Sequence, residues 1–170
     1  MLRKRPIGSI HGPMPPKLLI VDDSKTVRLI VRKAFKGHRC EVLEAGNGAE
    51  GLALARRKIP DLILLDVTMP VMDGLELLHR LQSDPVLAAV PVILLTAGSR
   101  RDQAARVTKA GVRAWLAKPF QAELLRETAG RHIPLTPLSM TPPPITGDGG
   151  GAGVRGAAEP VLESATIAGR

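Results

Sequence analysis

From Lys17 onward, short aliphatic runs alternate with stretches of helical spacing. The runs are Leu18-Leu19-Ile20-Val21, Val42-Leu43, Leu62-Ile63-Leu64-Leu65, Val92-Ile93-Leu94-Leu95 and Ala114-Trp115-Leu116-Ala117. Short apolar runs bounded by polar residues read as strands. Between the first two, Val27, Ile30, Val31, Ala34 and Phe35 recur at helical spacing, while Lys25, Arg28, Arg32 and Lys36 take the other face, as in an amphipathic helix. The spacing returns in Ala49/Leu52/Ala53, Leu77/Leu78/Leu81, Ala104/Val107/Thr108 and, after the last run, Phe120/Leu124 and Leu125/Thr128. The pattern predicts a βα unit repeated five times.

Repeated βα units imply an α/β fold, a parallel sheet with right-handed crossovers and helices on both faces. The first, third and fourth runs are continuously aliphatic and suit burial on both sides. The second strand (Glu41 to Ala45) and the fifth (Arg113 to Ala117) carry polar or charged residues and suit the edges. This is the doubly wound, flavodoxin-like (βα)5 arrangement with strand order 2-1-3-4-5, whose ligand crevice opens where strands 1 and 3 meet.

In such a sheet the strand C-termini share one edge, so the residues after each run become neighbours. Here these are Asp22 and Asp23 after the first strand, Asp66 after the third, Thr96 after the fourth and Lys118 after the fifth. Taken singly, Asp22, Asp23 and Ser24 suit helix capping, and the others suit loops. Three carboxylates gathered at one edge, however, repel one another unless a cation compensates, and an oxygen-only donor set suits Mg²⁺. An Asp beside a divalent cation can accept a phosphoryl group, with a lysine charge and a threonine hydroxyl stabilising the transferring oxygens.

At these residues the chain resembles the response-regulator receiver domains of bacterial two-component signalling. The resemblance rests on Leu19-Ile20-Val21-Asp22-Asp23-Ser24, on Leu64-Leu65-Asp66-Val67-Thr68-Met69-Pro70 with Met72-Asp73-Gly74, on Leu94-Leu95-Thr96-Ala97, and on Lys118-Pro119-Phe120. It covers about residues 17–130 and implies Asp66 as phosphoacceptor, Asp22 and Asp23 as the acidic pair, and Thr96 and Lys118 as the phosphoryl-sensing pair. It further implies Mg²⁺ held by Asp23, Asp66 and the Thr68 main-chain carbonyl, with Asp22 acting through water, and a cis Lys118–Pro119 bond. A histidine kinase or phosphotransfer protein would be the donor. Trp115 stands where the family usually carries a switch Tyr or Phe; the other reading of it is a half-buried edge-strand aromatic.

The resemblance implies a stand-alone signalling module that catalyses only its own phosphorylation and dephosphorylation. A relay adaptor, or a receiver fragment working with an output domain on another chain, is the alternative. Gly46-Asn47-Gly48-Ala49-Glu50-Gly51 matches the G-x-G-x-x-G pattern of dinucleotide folds. The charged strand before it is a poor central strand, so a turn opening a helix is the expectation. An Asp-nucleophile phosphatase is disfavoured because Ser24 stands where its second acid would fall.

Charge changes the picture little. The chain has 170 residues and a formal charge of +8, from 24 Lys and Arg against 16 Asp and Glu, which raises nucleic acid as a partner. No long basic run, helix-turn-helix or aromatic platform supports it. Arg100, Arg101, Arg106, Lys109 and Arg113 fall on or near the fourth helix and fifth strand. The resemblance implies that an unknown output protein docks on the face of helix 4, strand 5 and helix 5; a plain solvated surface is the other reading. The aromatic residues are Phe35, Phe120 and Trp115 alone, so aliphatic side chains must fill the core. Cys40 is the single cysteine, which excludes an intrachain disulfide and a multi-cysteine zinc site. No apolar window is long enough for a signal peptide or membrane helix, and a cytoplasmic location is expected.

Residues 1–16 read as a disordered leader, with Met14 an alternative start, and 17–130 as the folded domain. Residues 131–170, including Pro142-Pro143-Pro144 and Gly149-Gly150-Gly151, read as a flexible tail in which Val161-Leu162 and Ile167 could form a short docking peptide.

Overall fold

A computed structural model describes residues 14–97 and 111–140. The expected helix around Ala104, Val107 and Thr108, the basic residues Arg100, Arg101, Arg106 and Lys109, most of the leader and the tail from 141 lie outside them.

Five parallel strands, β1 (Lys17–Val21), β2 (Glu41–Ala45), β3 (Leu62–Asp66), β4 (Val92–Thr96) and β5 (Val112–Ala117), form one sheet in the order β2-β1-β3-β4-β5. The flavodoxin-like order is therefore as the aliphatic quality of the runs predicts. Every residue of β3 and β4 is buried, whereas β2 and β5 are partly exposed edges.

Helices α1 (Lys25–Phe35), α2 (Gly48–Lys58), α3 (Gly74–Ser83) and α4 (Ala122–Gly130) cover the two faces. Strand alternation divides the core accordingly. Leu19, Val21, Ile63, Leu65 and Leu94 meet Leu52 and Ala55 of α2 and Leu77, Leu78 and Leu81 of α3. Leu18, Ile20, Leu62, Leu64, Ile93 and Leu95 meet Val31, Ala34 and Phe35 of α1 and Leu125 and Ala129 of α4. On β5 the pairing passes from Val92↔Val112 to Ile93↔Ala114, so Arg113 is an extra residue. This bulge shifts the alternation and puts Val112 and Trp115 on the α2/α3 side with Ala114 and Leu116 on the other.

The G-x-G-x-x-G match opens α2 with a variant of the capping box, the returning bond falling on the residue before the N-cap Asn47. Asn47 Oδ1 accepts the Glu50 N–H at 3.0 Å, and Glu50 Oε2 accepts the Gly46 N–H at 2.8 Å. Gly48 is required by proximity, since a Cβ there would lie 2.7 Å from the Met72 carbonyl oxygen.

Residues 131–140 differ from the flexible tail read from their prolines. Ile133 is 2 % exposed beneath α1 and α4, and Leu135 packs beside it. The Arg39 N–H donates to the Thr136 carbonyl at 2.8 Å and the Leu138 N–H to the Gly37 carbonyl at 3.0 Å. A short 3-10 turn, Leu138–Met140, ends the described chain. Two apolar anchors and pairing with the α1–β2 loop order a stretch whose proline content alone suggested none.

Candidate functional site

The site is built at the C-terminal edge of the sheet. The register places Val21 beside Leu65 and Ala45, Asp66 beside Leu95, and Thr96 beside Ala117. The residues that continue β1, β3, β4 and β5 therefore arrive at one level, and Asp22, Asp23 and Asp66 bring carboxylate oxygens within 4.8 Å of one another.

Asp22 is fully buried and bonded on both oxygens. Its Oδ1 accepts the Ser24 N–H at 2.9 Å, and its Oδ2 receives Lys118 Nζ at 2.6 Å. Ser24 caps α1 in turn, accepting the Val27 N–H at 3.3 Å, so the capping and chemical readings of Asp22-Asp23-Ser24 hold together. Asp23 is exposed. Asp66, 5 % exposed, holds Lys118 Nζ at 2.9 Å from its Oδ1 and accepts the Thr68 N–H.

Burial raises the Asp66 carboxyl above its ordinary pKa; Lys118 pulls it down by hydrogen bond and charge, and Asp22 pushes it up. Burial by itself lowers the Lys118 pKa, but its bonds and charge pairing with Asp22 and Asp66 outweigh that and leave it raised. One ammonium thus serves two carboxylates, with the third facing solvent. The all-oxygen donor set fits a hard divalent cation that keeps several waters.

The Lys118 N–H donates to the Thr96 carbonyl at 2.7 Å, and the Lys118–Pro119 peptide is cis. Thr96 is fully buried, and its Oγ1 finds no hydrogen-bond partner among the described residues. A buried hydroxyl left without a partner is costly and is found where a ligand supplies one. Trp115 is half-buried, paired with Leu94 and packed against the α2/α3 side of the core.

Between β3 and α3 the chain makes a tight loop, anchored by the buried Met69 and Met72 and closed by the Gly74 N–H on the Val67 carbonyl at 3.0 Å. Asp73 caps α3, accepting the Glu76 N–H at 2.8 Å. A Cβ on Gly74 would overlap the Asp66 carbonyl oxygen. Val71 sits in this loop at φ 72 and is 86 % exposed.

Two contributors escape sequence reading. Gly74 belongs to a quoted motif, but its contact with the Asp66 backbone is visible only in the fold. Arg28 reads as part of the solvent face of the first helix, yet its side chain is 14 % exposed and turned back onto the Asp22 carbonyl.

This fold and edge define a phosphoacceptor signalling class, and comparison with known proteins agrees. The family model "Response regulator receiver domain" matches residues 18–129. The chain is 36 % identical to the protein PilH of Pseudomonas aeruginosa over 112 residues, 66 % of this chain and 93 % of that one. It is 32 % identical to the sporulation initiation phosphotransferase F of Bacillus subtilis over 122 residues, 72 % and 97 % of the two chains. Among solved structures, the chemotaxis protein CheY4 of Vibrio cholerae superposes with a TM-score of 0.65 at 33 % identity, covering 69 % of this chain and 98 % of that one. The chain belongs to the response regulator receiver family, the phosphoacceptor modules of two-component systems. No helix among the described residues is long and apolar enough to cross a membrane.

Proposed function

We propose that Asp66 is the phosphoacceptor and that a histidine kinase or phosphotransfer protein is its donor. The observation that carries this reading is the placement of Asp66 at the end of β3, against Lys118 and within reach of two further carboxylates. A carboxylate oxygen of Asp66 attacks the phosphorus of a phosphoimidazole; the P–N bond breaks, the imidazole leaves with a proton, and an acyl phosphate forms. Lys118 meets the incoming negative charge, and the unpartnered Thr96 hydroxyl donates to a phosphoryl oxygen.

Mg²⁺ would be held by Asp23, Asp66 and the Thr68 main-chain carbonyl, with Asp22 acting through water. When bound it neutralises charge on the transferring oxygens. A receiver domain of a Pseudomonas aeruginosa sensor histidine kinase, 26 % identical with a TM-score of 0.64, carries a magnesium ion coordinated in its active-site cleft, which supports this reading. Recruitment of Thr96 repacks the region around Trp115 on β5 and alters the face that β5 and α4 share with the helix expected from the sequence around Ala104, Val107 and Thr108, where an output protein docks. The change is a population shift between two packings.

Incubation with phosphoramidate and Mg²⁺, followed by intact-mass measurement, tests the assignment. One phosphoryl group is expected on the native chain and none on Asp66→Asn. Uptake that survives the substitution overturns the phosphoacceptor.

A further inference from the structure

Arg28 lies one turn into α1 and reaches back past its own helix. Its Nη1 donates to the Asp22 carbonyl at 2.5 Å, and its Nε lies 3.4 Å from Glu44 Oε2 on the edge strand β2. Arg32 lies 3.6 Å from the other oxygen of Glu44. The β2–α2 turn closes over the guanidinium, since a Cβ on Gly46 would lie 3.6 Å from Nη1. The side chain is accordingly only 14 % exposed, which is unusual for an arginine on a helix that covers a sheet.

The accepting carbonyl is what gives this contact meaning. The Asp22 N–H still belongs to the sheet, donating to the Ala45 carbonyl at 3.1 Å, but β1 ends at Val21. The Asp22 carbonyl is half of the peptide that joins Asp22 to Asp23, and a peptide is planar. Fixing that oxygen fixes the plane from which the Asp23 side chain projects. Asp22 is already held through both carboxylate oxygens, whereas Asp23 is exposed and takes its aim from its backbone.

We infer that Arg28 is a positioning residue: its guanidinium locks the Asp22–Asp23 peptide and so presets the exposed Asp23 carboxylate for the divalent cation. Glu44 has a complementary task. It holds the fork in place and neutralises it, so that the arginine does not raise the positive potential beside a cation site. The inference rests on the proposed use of Asp22, Asp23 and Asp66 as a Mg²⁺ site.

Calorimetric Mg²⁺ titration of the full chain tests it, with Asp23→Asn as the control for the site itself and circular dichroism as the check on folding. Arg28→Met is expected to weaken Mg²⁺ binding roughly tenfold, the lower range for residues that orient metal ligands. Phosphoryl uptake from phosphoramidate should then need correspondingly more Mg²⁺, and Arg28→Lys should recover part of the loss through its single donor. Glu44→Gln, which leaves the Asp22 bond available, should weaken binding two- to threefold, more at low salt than at high. A folded Arg28→Met chain that binds Mg²⁺ as tightly as the native one overturns the inference while leaving the site intact. Native Mg²⁺ binding that Asp23→Asn does not weaken overturns the underlying site assignment instead.

Discussion

Lys118 and Asp22 are 96 residues apart in the chain and 2.6 Å apart at the sheet edge. The same ammonium lies 2.9 Å from Asp66, so the end of the domain supplies the counter-charge for acids at its beginning and middle. The balance is incomplete, because Asp66 still titrates above its ordinary range.

That imbalance has a sign. With a raised native pKa, the folded chain keeps a proton on Asp66 where the unfolded chain has released it, so stability falls as pH rises through that interval. The cost is fully present once the pH has passed the raised native value. Asp66→Asn should therefore melt higher than the native chain above that interval, with the gap narrowing in acid; thermal scans across pH check this. A gap that is constant with pH would point to packing rather than ionisation.

Val71 places a β-branched side chain at φ 72 while burying almost nothing. The left-handed conformation costs about 1–3 kcal/mol for such a residue, and glycine gives back roughly 0.5–1 kcal/mol through the unfolded chain. Val71→Gly should raise stability by about 1 kcal/mol, read as a higher denaturant midpoint.

Ile133 lies beyond the span matched by the receiver family, yet is buried against α1 and α4. Ile133→Ala should cost about 2–4 kcal/mol. Equilibrium urea unfolding measures it, and a loss below 1 kcal/mol would mean that the 131–140 segment adds little to the domain.

Cys40 is half-buried, and burial pushes its thiol up to about 11 from 9.0. The thiolate fraction at neutral pH is then about a hundredfold lower than for an unperturbed thiol. Alkylation by iodoacetamide, followed by mass, should be slow in the native chain, accelerate in urea and keep rising with pH beyond 9.

The sheet order and the meeting of Asp22, Asp23, Asp66 and Lys118 were legible in the sequence, because apolar runs mark strands and a parallel sheet aligns their ends. What lay beyond reach depended on three-dimensional proximity. Arg28 has the same polar signature as Lys25, and only the β2 edge and the turn above it make one a buried tether and the other a surface charge. Ile133 and Leu135 sit among prolines, so composition concealed two anchors that the α1–β2 loop made useful. The bulge at Arg113 carries no sequence mark, although it decides which face Trp115 occupies.

Trp115 is the one tryptophan in a chain without tyrosine. Near-ultraviolet emission therefore comes from a single ring, free of energy transfer from other indoles or phenols, on the strand to which the proposed repacking is assigned. The molecule carries its own optical gauge, and a time trace of its unlabelled fluorescence reads one edge of one sheet.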